Sequence, residues 1–174
     1  MSPVNVAVIP SAAVEYLRRK AKKLVKQDGI AHHAALDIVA RAGGQFVDWH
    51  HLIEAAKATE PSERAFKEGL IIGMDPKDVD FDHSRIKCFV RDEQVIMFFR
   101  MEFEKKHPQP WSEENQWDWD DINELVYFRP KRGLPHSLEE VFELCREDFF
   151  FSPQYVRLKG VVLQDPFTDE AENG

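Results

Sequence analysis

The sequence predicts an α+β fold that is mostly α. A basic three-helix module (residues 1–60) precedes an acidic, aromatic-rich part (residues 61–174) that carries helices and a small sheet. Three observations lead there. Apolar residues recur at three- and four-residue steps through most segments, the signature of half-buried helices. Charge is split: residues 1–60 hold 8 Lys and Arg against 6 Asp and Glu, whereas residues 61–174 hold 15 against 25. Aromatics are split too, with only Tyr16, Phe46 and Trp49 before residue 61. Such asymmetry suggests two sub-structures with different partners. Thr59-Glu60-Pro61-Ser62 is the expected seam, because a proline disfavours helix at the residue before it.

In the first part, Ser11 is expected to cap a helix running to Gln27, with Val14, Leu17, Ala21, Leu24 and Val25 inward and Gly29 as its stop. A second helix fits His32 to Ala42, with Leu36, Val39 and Ala40 inward. A third fits Val47 to Lys57, with Trp49, Leu52, Ile53 and Ala56 inward. Helices this short are marginal alone, so they must share a core, with Leu36, Val39, Trp49 and Leu52 at its centre.

In the second part, Ser62 to Glu68 reads as a short helix, Leu70-Ile71-Ile72 as a strand or buried turn, and Asp75 to Ser84 as an acidic loop. Ile86 to Val90 reads as a strand. Asp92 can cap a helix from Glu93 to Lys106, although Phe99 to Glu104 also alternates as a strand would. Trp111 to Asp121, after Pro108 and Pro110, is expected to begin as a loop. Ser137 and Glu140 form a capping box for a helix carrying Leu138, Val141, Phe142, Cys145 and Phe149. Tyr155 to Leu163 reads as one terminal strand interrupted by Gly160. Residues from Thr168 onward are expected to fray.

Several classes are disfavoured. With 43% hydrophobic and 31% charged residues the chain is not compositionally disordered. No apolar run approaches the ~20 residues of a membrane helix, and Met1 to Pro10 lacks the pattern of a secretory signal. Two cysteines, Cys88 and Cys145, make no disulfide framework and point to a reducing cytoplasm. No glycine-rich phosphate loop, nucleophile elbow or catalytic-cysteine signature is present. Asp78, Asp80 and Asp82 have calcium-loop spacing, but His83 replaces the turn glycine and Phe89 the bidentate glutamate. His50, His51 and Glu54 do not place two histidines on one helical face, and the adjacent His32 and His33 point apart. No metal site and no cofactor is therefore expected. Met74-Asp75-Pro76 with Glu104-x-Lys106 is a distant match to a metal-dependent nuclease core, with Asp and Pro inverted and Glu104 read on a helix rather than a strand.

Ala35-Leu36-Asp37-x-Val39-Ala40, glycine, then Phe46-x-Asp48-Trp49-x-x-Leu52 resembles a small helical module. It is found in uncharacterised proteins of plasmids and integrating elements and as an appendage on some glyoxalase-superfamily proteins. Gly69-Leu70-Ile71-Ile72-Gly73-Met74-Asp75-x-Lys77-Asp78, followed by Asp80-Phe81-Asp82, is similar to a second block of the same plasmid-borne family. Gln45, which adds a residue between glycine and aromatic, departs from the pattern. The resemblance implies a mobile-element protein and no particular activity.

Two binding surfaces are candidates. Arg18, Arg19, Lys22, Lys23 and Lys26 could hold nucleic-acid phosphates without reading sequence. The third helix offers Asp48, His50, His51, Glu54 and Lys57, none of which is an Arg for guanine or an Asn or Gln for adenine. Trp111, Trp117 and Trp119 with Asp118 and Asp120 form the other candidate. Three tryptophans and five acids share eleven residues there. If that segment is extended, Trp117 and Trp119 lie on one side and Asp118 and Asp120 on the other. They would either plug the core or anchor a basic partner, whose cations could stack on the indoles. The expected function is thus a non-enzymatic accessory protein that binds nucleic acid weakly or a protein partner. An acidic inhibitor that occupies a basic groove on another protein is the alternative.

Overall fold

The computed structural model describes residues 7–79 and 86–167. The chain divides into two compact units at Pro61/Ser62. The fold is α+β and mostly helical, with one five-stranded antiparallel sheet.

The first unit is built on α1 (Ser11–Asp28), α2 (His32–Arg41) and the leading part of α3 (Trp49–Lys67). Ser11 is not the cap; Pro10 occupies that position and Ser11 is the first helical residue. Gly29, at φ 66°, ends α1 in the left-handed conformation that glycine adopts without a Cβ penalty. Ala21 and Ala35 are fully buried and pack with Val39, so α1 and α2 approach through small side chains. Leu52 and Val39 are core residues, whereas Leu36 and Trp49 are half-buried at the margin. Trp49 is therefore a lid on this core, not its centre. Asp37 Oδ1 accepts the Trp49 amide at 3.0 Å, and Asp48 Oδ1 accepts the His51 amide at 2.8 Å, which anchors the start of α3.

Pro61 does not end a helix. It lies inside α3, and Ser62 to Lys67, expected as a separate helix, continues it. A proline removes one i→i−4 donor. Here the carbonyl left over belongs to exposed Lys57, where water can reach it, so the helix loses a bond rather than its continuity.

The second unit is organised on β1 (Leu70–Met74), whose five residues are all buried. The other strands are β2 (Phe89–Arg91), β3 (Val126–Pro130), β4 (Tyr155–Leu158) and β5 (Val161–Gln164), in the order β2-β3-β1-β4-β5. Strand β3 escapes the sequence reading, and the single terminal strand is in fact the hairpin β4–β5. Lys159 and Gly160 have φ of 51° and 77°, the two positive values of a two-residue type I′ turn. The helices are α4 (Val95–Lys106), α5 (Glu113–Glu124) and α6 (Leu138–Arg146). Phe99 to Glu104 is helical, and Trp111 to Asp121 is mostly helix rather than extended. Ser112 Oγ caps α5 by accepting the Asn115 amide at 3.1 Å, with Glu113 and Glu114 in the first turn, where the helix dipole favours acids.

Side chains alternate across the sheet. Leu70, Ile72, Met74, Phe128, Val156 and Leu158 share one core with Val141, Cys145 and Phe149 at α6. Ser137 caps α6, as the capping box predicts, but Glu140 reaches back to the His136 amide at 2.7 Å, one residue further than the usual box. Tyr127, Tyr155 and Arg157 face the other way, toward Phe66, Phe99 and Glu102. Gly73 lies between the two tyrosines. A Cβ there would come within 2.9 Å of Tyr127 Cε1 and 3.0 Å of Tyr155 Cβ.

Two buried charges tie these elements together. Asp92 accepts hydrogen bonds from Ser62 Oγ at 2.9 Å, from the Val95 amide at 3.2 Å and from Arg129 Nε at 3.0 Å. It thus holds the first amide of α4, although the helix starts at Val95 rather than Glu93 and Gln94, not Asp92, occupies the cap position. Arg157 donates from Nε to the Phe66 carbonyl at 2.8 Å and from Nη1 to Glu102 at 3.1 Å, with its guanidinium 3.7 Å from the Phe66 ring centroid.

Replacing Arg157 with Leu should cost about 1–3 kcal/mol, because it leaves the buried Phe66 carbonyl without its donor, whereas Glu102, whose side chain is 37% exposed, can turn to water. A urea midpoint within error of the wild type would refute that role. The second unit should also weaken in alkali. Burial pushes the Tyr155 phenol up to about 12, an effect that Arg157 partly offsets; burial and then Asp148 push the Cys145 thiol up to about 12; burial raises Tyr127 as well. Raised folded values mean that their stabilisation is complete below the unfolded values of 9.0 and 10.0 and is lost as pH climbs toward 12. Urea midpoints should therefore fall between neutral pH and about pH 11; a flat profile would contradict the assignment.

Candidate partner-binding site

Helix α5 turns the Trp-rich segment into a two-sided object. Residues two apart on a helix differ by about 200°, so Trp117 and Trp119 cannot share a face. Trp119 is 6% exposed and Trp117 is 61% exposed. The inward stripe is Asn115, Trp119 and Ile122. Trp119 packs on Phe103 of α4 at 5.8 Å between ring centroids, and Trp111, half-buried, meets the same ring edge-on at 5.1 Å. The Trp111 Nε1 donates to the His107 carbonyl at 2.6 Å.

These two indoles already hold a cation. The Arg100 guanidinium lies 4.7 Å from the Trp111 centroid and 5.2 Å from that of Trp119, and its Nε pairs with Glu104 at 2.9 Å. The cation–π contact that the sequence suggests for a partner is thus made inside the chain. Trp111 and Trp119 are structural, and Tyr127 adds a further tie by donating its hydroxyl to the Ile122 carbonyl at 2.7 Å.

The outward face is different. Glu113, Glu114, Trp117, Asp118, Asp120, Asp121 and Glu124 are all exposed. On a helix, the neighbours of a residue lie three and four positions away. Those of Trp117 are Glu113, Glu114, Asp120 and Asp121, so an exposed indole is ringed by four carboxylates. Asp120 takes one hydrogen bond from Gln116 at 2.9 Å. Among the described residues no cation pairs with any of these acids. Glu114 and Asp118, and Asp120 and Glu124, are like charges at i,i+4, and acids stand in the last turn, where the dipole opposes them. Among the described residues no cation offsets this repulsion.

The other candidates resolve as follows. Arg18, Arg19, Lys22, Lys23 and Lys26 are all exposed on α1 and fall within about 140° of its circumference. Arg18 is already engaged with Glu15 at 2.6 Å and lies 5.9 Å from the Trp49 ring. On α3, Asp48 and His51 serve the helix start, and Glu54 pairs with Lys57 at 3.2 Å. Asp75 Oδ1 accepts the Lys77 amide at 3.0 Å, while Glu104 sits on α4 with Arg100. Asp80 and Asp82 lie outside the described residues. Among the described residues no cluster of three or more His, Cys, Asp or Glu could hold a metal ion, and no helix is long and apolar enough to cross a membrane.

No family model, curated protein or solved structure matches the chain.

The Trp117 environment predicts charge-selective quenching. The fluorescence difference between the wild type and Trp117→Phe should be quenched well by caesium and poorly by iodide, because the carboxylates concentrate cations and exclude anions. Equal quenching by the two ions would show that the carboxylates do not dominate the site.

Proposed function

We propose that the chain is a non-enzymatic accessory protein of a mobile genetic element, and that it docks on a basic protein surface through the outer face of α5. The observation that carries this reading is Trp117, exposed in the middle of an unneutralised acidic ring. Tryptophan is favoured as an interface anchor. Surrounding carboxylates steer a basic partner and gain from its arrival, since its cations relieve the repulsion along α5. The two inner indoles and Arg100 hold the helix in place, so the outer face is preorganised.

The mobile-element assignment rests on the sequence resemblance. The cysteines do not read as activated nucleophiles: burial and then Asp148 push the Cys145 thiol up to about 12, and burial, Asp148 and Glu147 raise that of Cys88, the direction that makes a thiol less reactive. Blocking of a nucleic-acid groove on the partner would use the same acidic face. Phosphate contact by α1 is a second reading, favoured by its five exposed cations on one side.

Titration of the full chain with a Lys- and Arg-rich peptide separates the anchor from bulk charge. Trp117→Ala leaves net charge unchanged, yet affinity should fall about 30-fold or more, the loss of a hot-spot aromatic. Unchanged affinity would remove the indole from the site. Repeating the titration with duplex DNA present distinguishes the readings, because α1 contact predicts that DNA binds the chain itself, whereas groove blocking predicts that DNA competes only for the peptide.

A further inference from the structure

The β2 edge of the sheet is closed by a side chain: the Asp148 carboxylate accepts the amides of Lys87 at 2.8 Å, Cys88 at 2.7 Å and Phe89 at 3.0 Å. The strongly charged open surfaces are helical, and two of them are opposite in sign. On α1, Tyr16 is 60% exposed, and Arg19, Lys20 and Lys23 follow it by three, four and seven positions. On α5, Trp117 is 61% exposed, and Asp120, Asp121 and Glu124 follow it by the same three, four and seven positions. Those steps keep each set within about 100° of its helix's circumference. All six charged side chains are exposed, and among the described residues none of them makes an ion pair. The Lys20 ammonium lies 5.9 Å from the Tyr16 ring centroid, so cation and aromatic share one patch on α1.

We propose that the α1 face of one copy of this chain docks on the α5 face of a second copy. The inference rests on the docking role of α5 and names, as its basic partner, the chain's own first helix. Charge complementarity and spacing pick this occupant. Laid side by side in the same direction, the two faces set Tyr16 against Trp117, and Arg19, Lys20 and Lys23 against Asp120, Asp121 and Glu124. Any basic surface would match the acidic face in sign. The α1 face also matches it in spacing and brings an aromatic ring to the exposed indole. The contact relieves crowding of like charge on both helices. Each copy offers one face of each sign, so the contact is heterologous and either closes into a ring or runs on as a chain. One helix laid on another is smaller than a standard interface, so the association is weak and concentration-dependent. The net charge of −8 on each copy opposes it. At ~0.15 M salt the Debye length is about 8 Å, which screens that general repulsion more than it screens charges in contact.

Sedimentation equilibrium of the full chain at that salt, over a dilution series, tests the proposal. The average mass should rise above that of the monomer as concentration increases. Asp120→Lys combined with Asp121→Lys should weaken association about tenfold or more. That change moves the net charge toward zero, so general repulsion cannot account for the loss. Lys20→Glu combined with Lys23→Glu should weaken association as well. Mixing the two double variants should restore it, because the reversed α1 of one meets the reversed α5 of the other. All four side chains are exposed, so the circular dichroism spectra should match that of the wild type. If a reversed variant does not fold, Asp120→Asn with Asp121→Asn and Lys20→Ala with Lys23→Ala take its place, and loss of association in both is the expected result. A wild type that stays monomeric at the highest concentration, an association indifferent to either double substitution, or a mixture that stays monomeric would each overturn the proposal. A monomeric wild type that still binds the Lys- and Arg-rich peptide through Trp117 loses this contact and keeps the docking role of α5. A chain that associates as described but does not bind the peptide keeps this contact and loses the wider role.

Discussion

A guanidinium buried in a β-sheet constrains everything packed above it. Arg157 sits on β4 with only 6% of its surface exposed, and such a charge must be both paired and hydrogen-bonded. Its partners come from two helices: the Phe66 carbonyl near the end of α3 and the Glu102 carboxylate of α4. The Phe66 ring covers its face and in turn touches Phe98 and Phe99. Helix α4 therefore has little freedom in register over the sheet. A one-residue slide would carry Glu102 away from the guanidinium and Phe99 away from Tyr127 and Tyr155.

That fixed register is transmitted outward to α5. Arg100 lies two residues before Glu102 and projects from α4 to where Trp111 and Trp119 stack on it. Phe103, the next residue after Glu102, supplies the ring against which both indoles rest. Buried charge, aromatic layer and helix orientation thus form one chain of contacts from the middle of the sheet to the exposed Trp117. The acidic face of α5 is held by its back, and its front is left to solvent.

The helices of the first unit were legible because each carries an apolar stripe and glycine marks one end of α1. Helix α6 was legible for the same reason and because Ser137 announces its start. The errors have physical causes. Pro61 reads as a break, yet it lies inside α3, where the carbonyl it leaves without an amide belongs to exposed Lys57. Val126-Tyr127-Phe128 are strand formers followed by Pro130 and Gly133, a local signal for β3, but all three are buried, so the alternation that marks a half-buried strand is missing. Trp117 and Trp119 looked like one face because alternation of aromatic and acid imitates a strand; the helical signal was Ser112 followed by two glutamates. Exposure of Trp117 and the five cations of α1 were compatible with the sequence pattern, but the sandwiching of Arg100 and the clasp of Asp148 on three amides depend on contacts between distant segments, which no local periodicity encodes.

The central place of β1 has a consequence for the order in which the molecule is made. Ile72 pairs with Phe128 and Val156, 56 and 84 residues further along the chain. During synthesis the uncharged run Leu70 to Met74 leaves the ribosome with both neighbouring strands still unmade, whereas the short-range helices of the first unit have all their partners. The first unit can therefore be complete while the second is an apolar strand waiting for pairs. Long-range antiparallel pairing of this kind is slow, and a waiting strand is exposed to the wrong partners. The closing step belongs to the β4–β5 hairpin: its tight turn forms locally, and only its arrival encloses β1 on both sides.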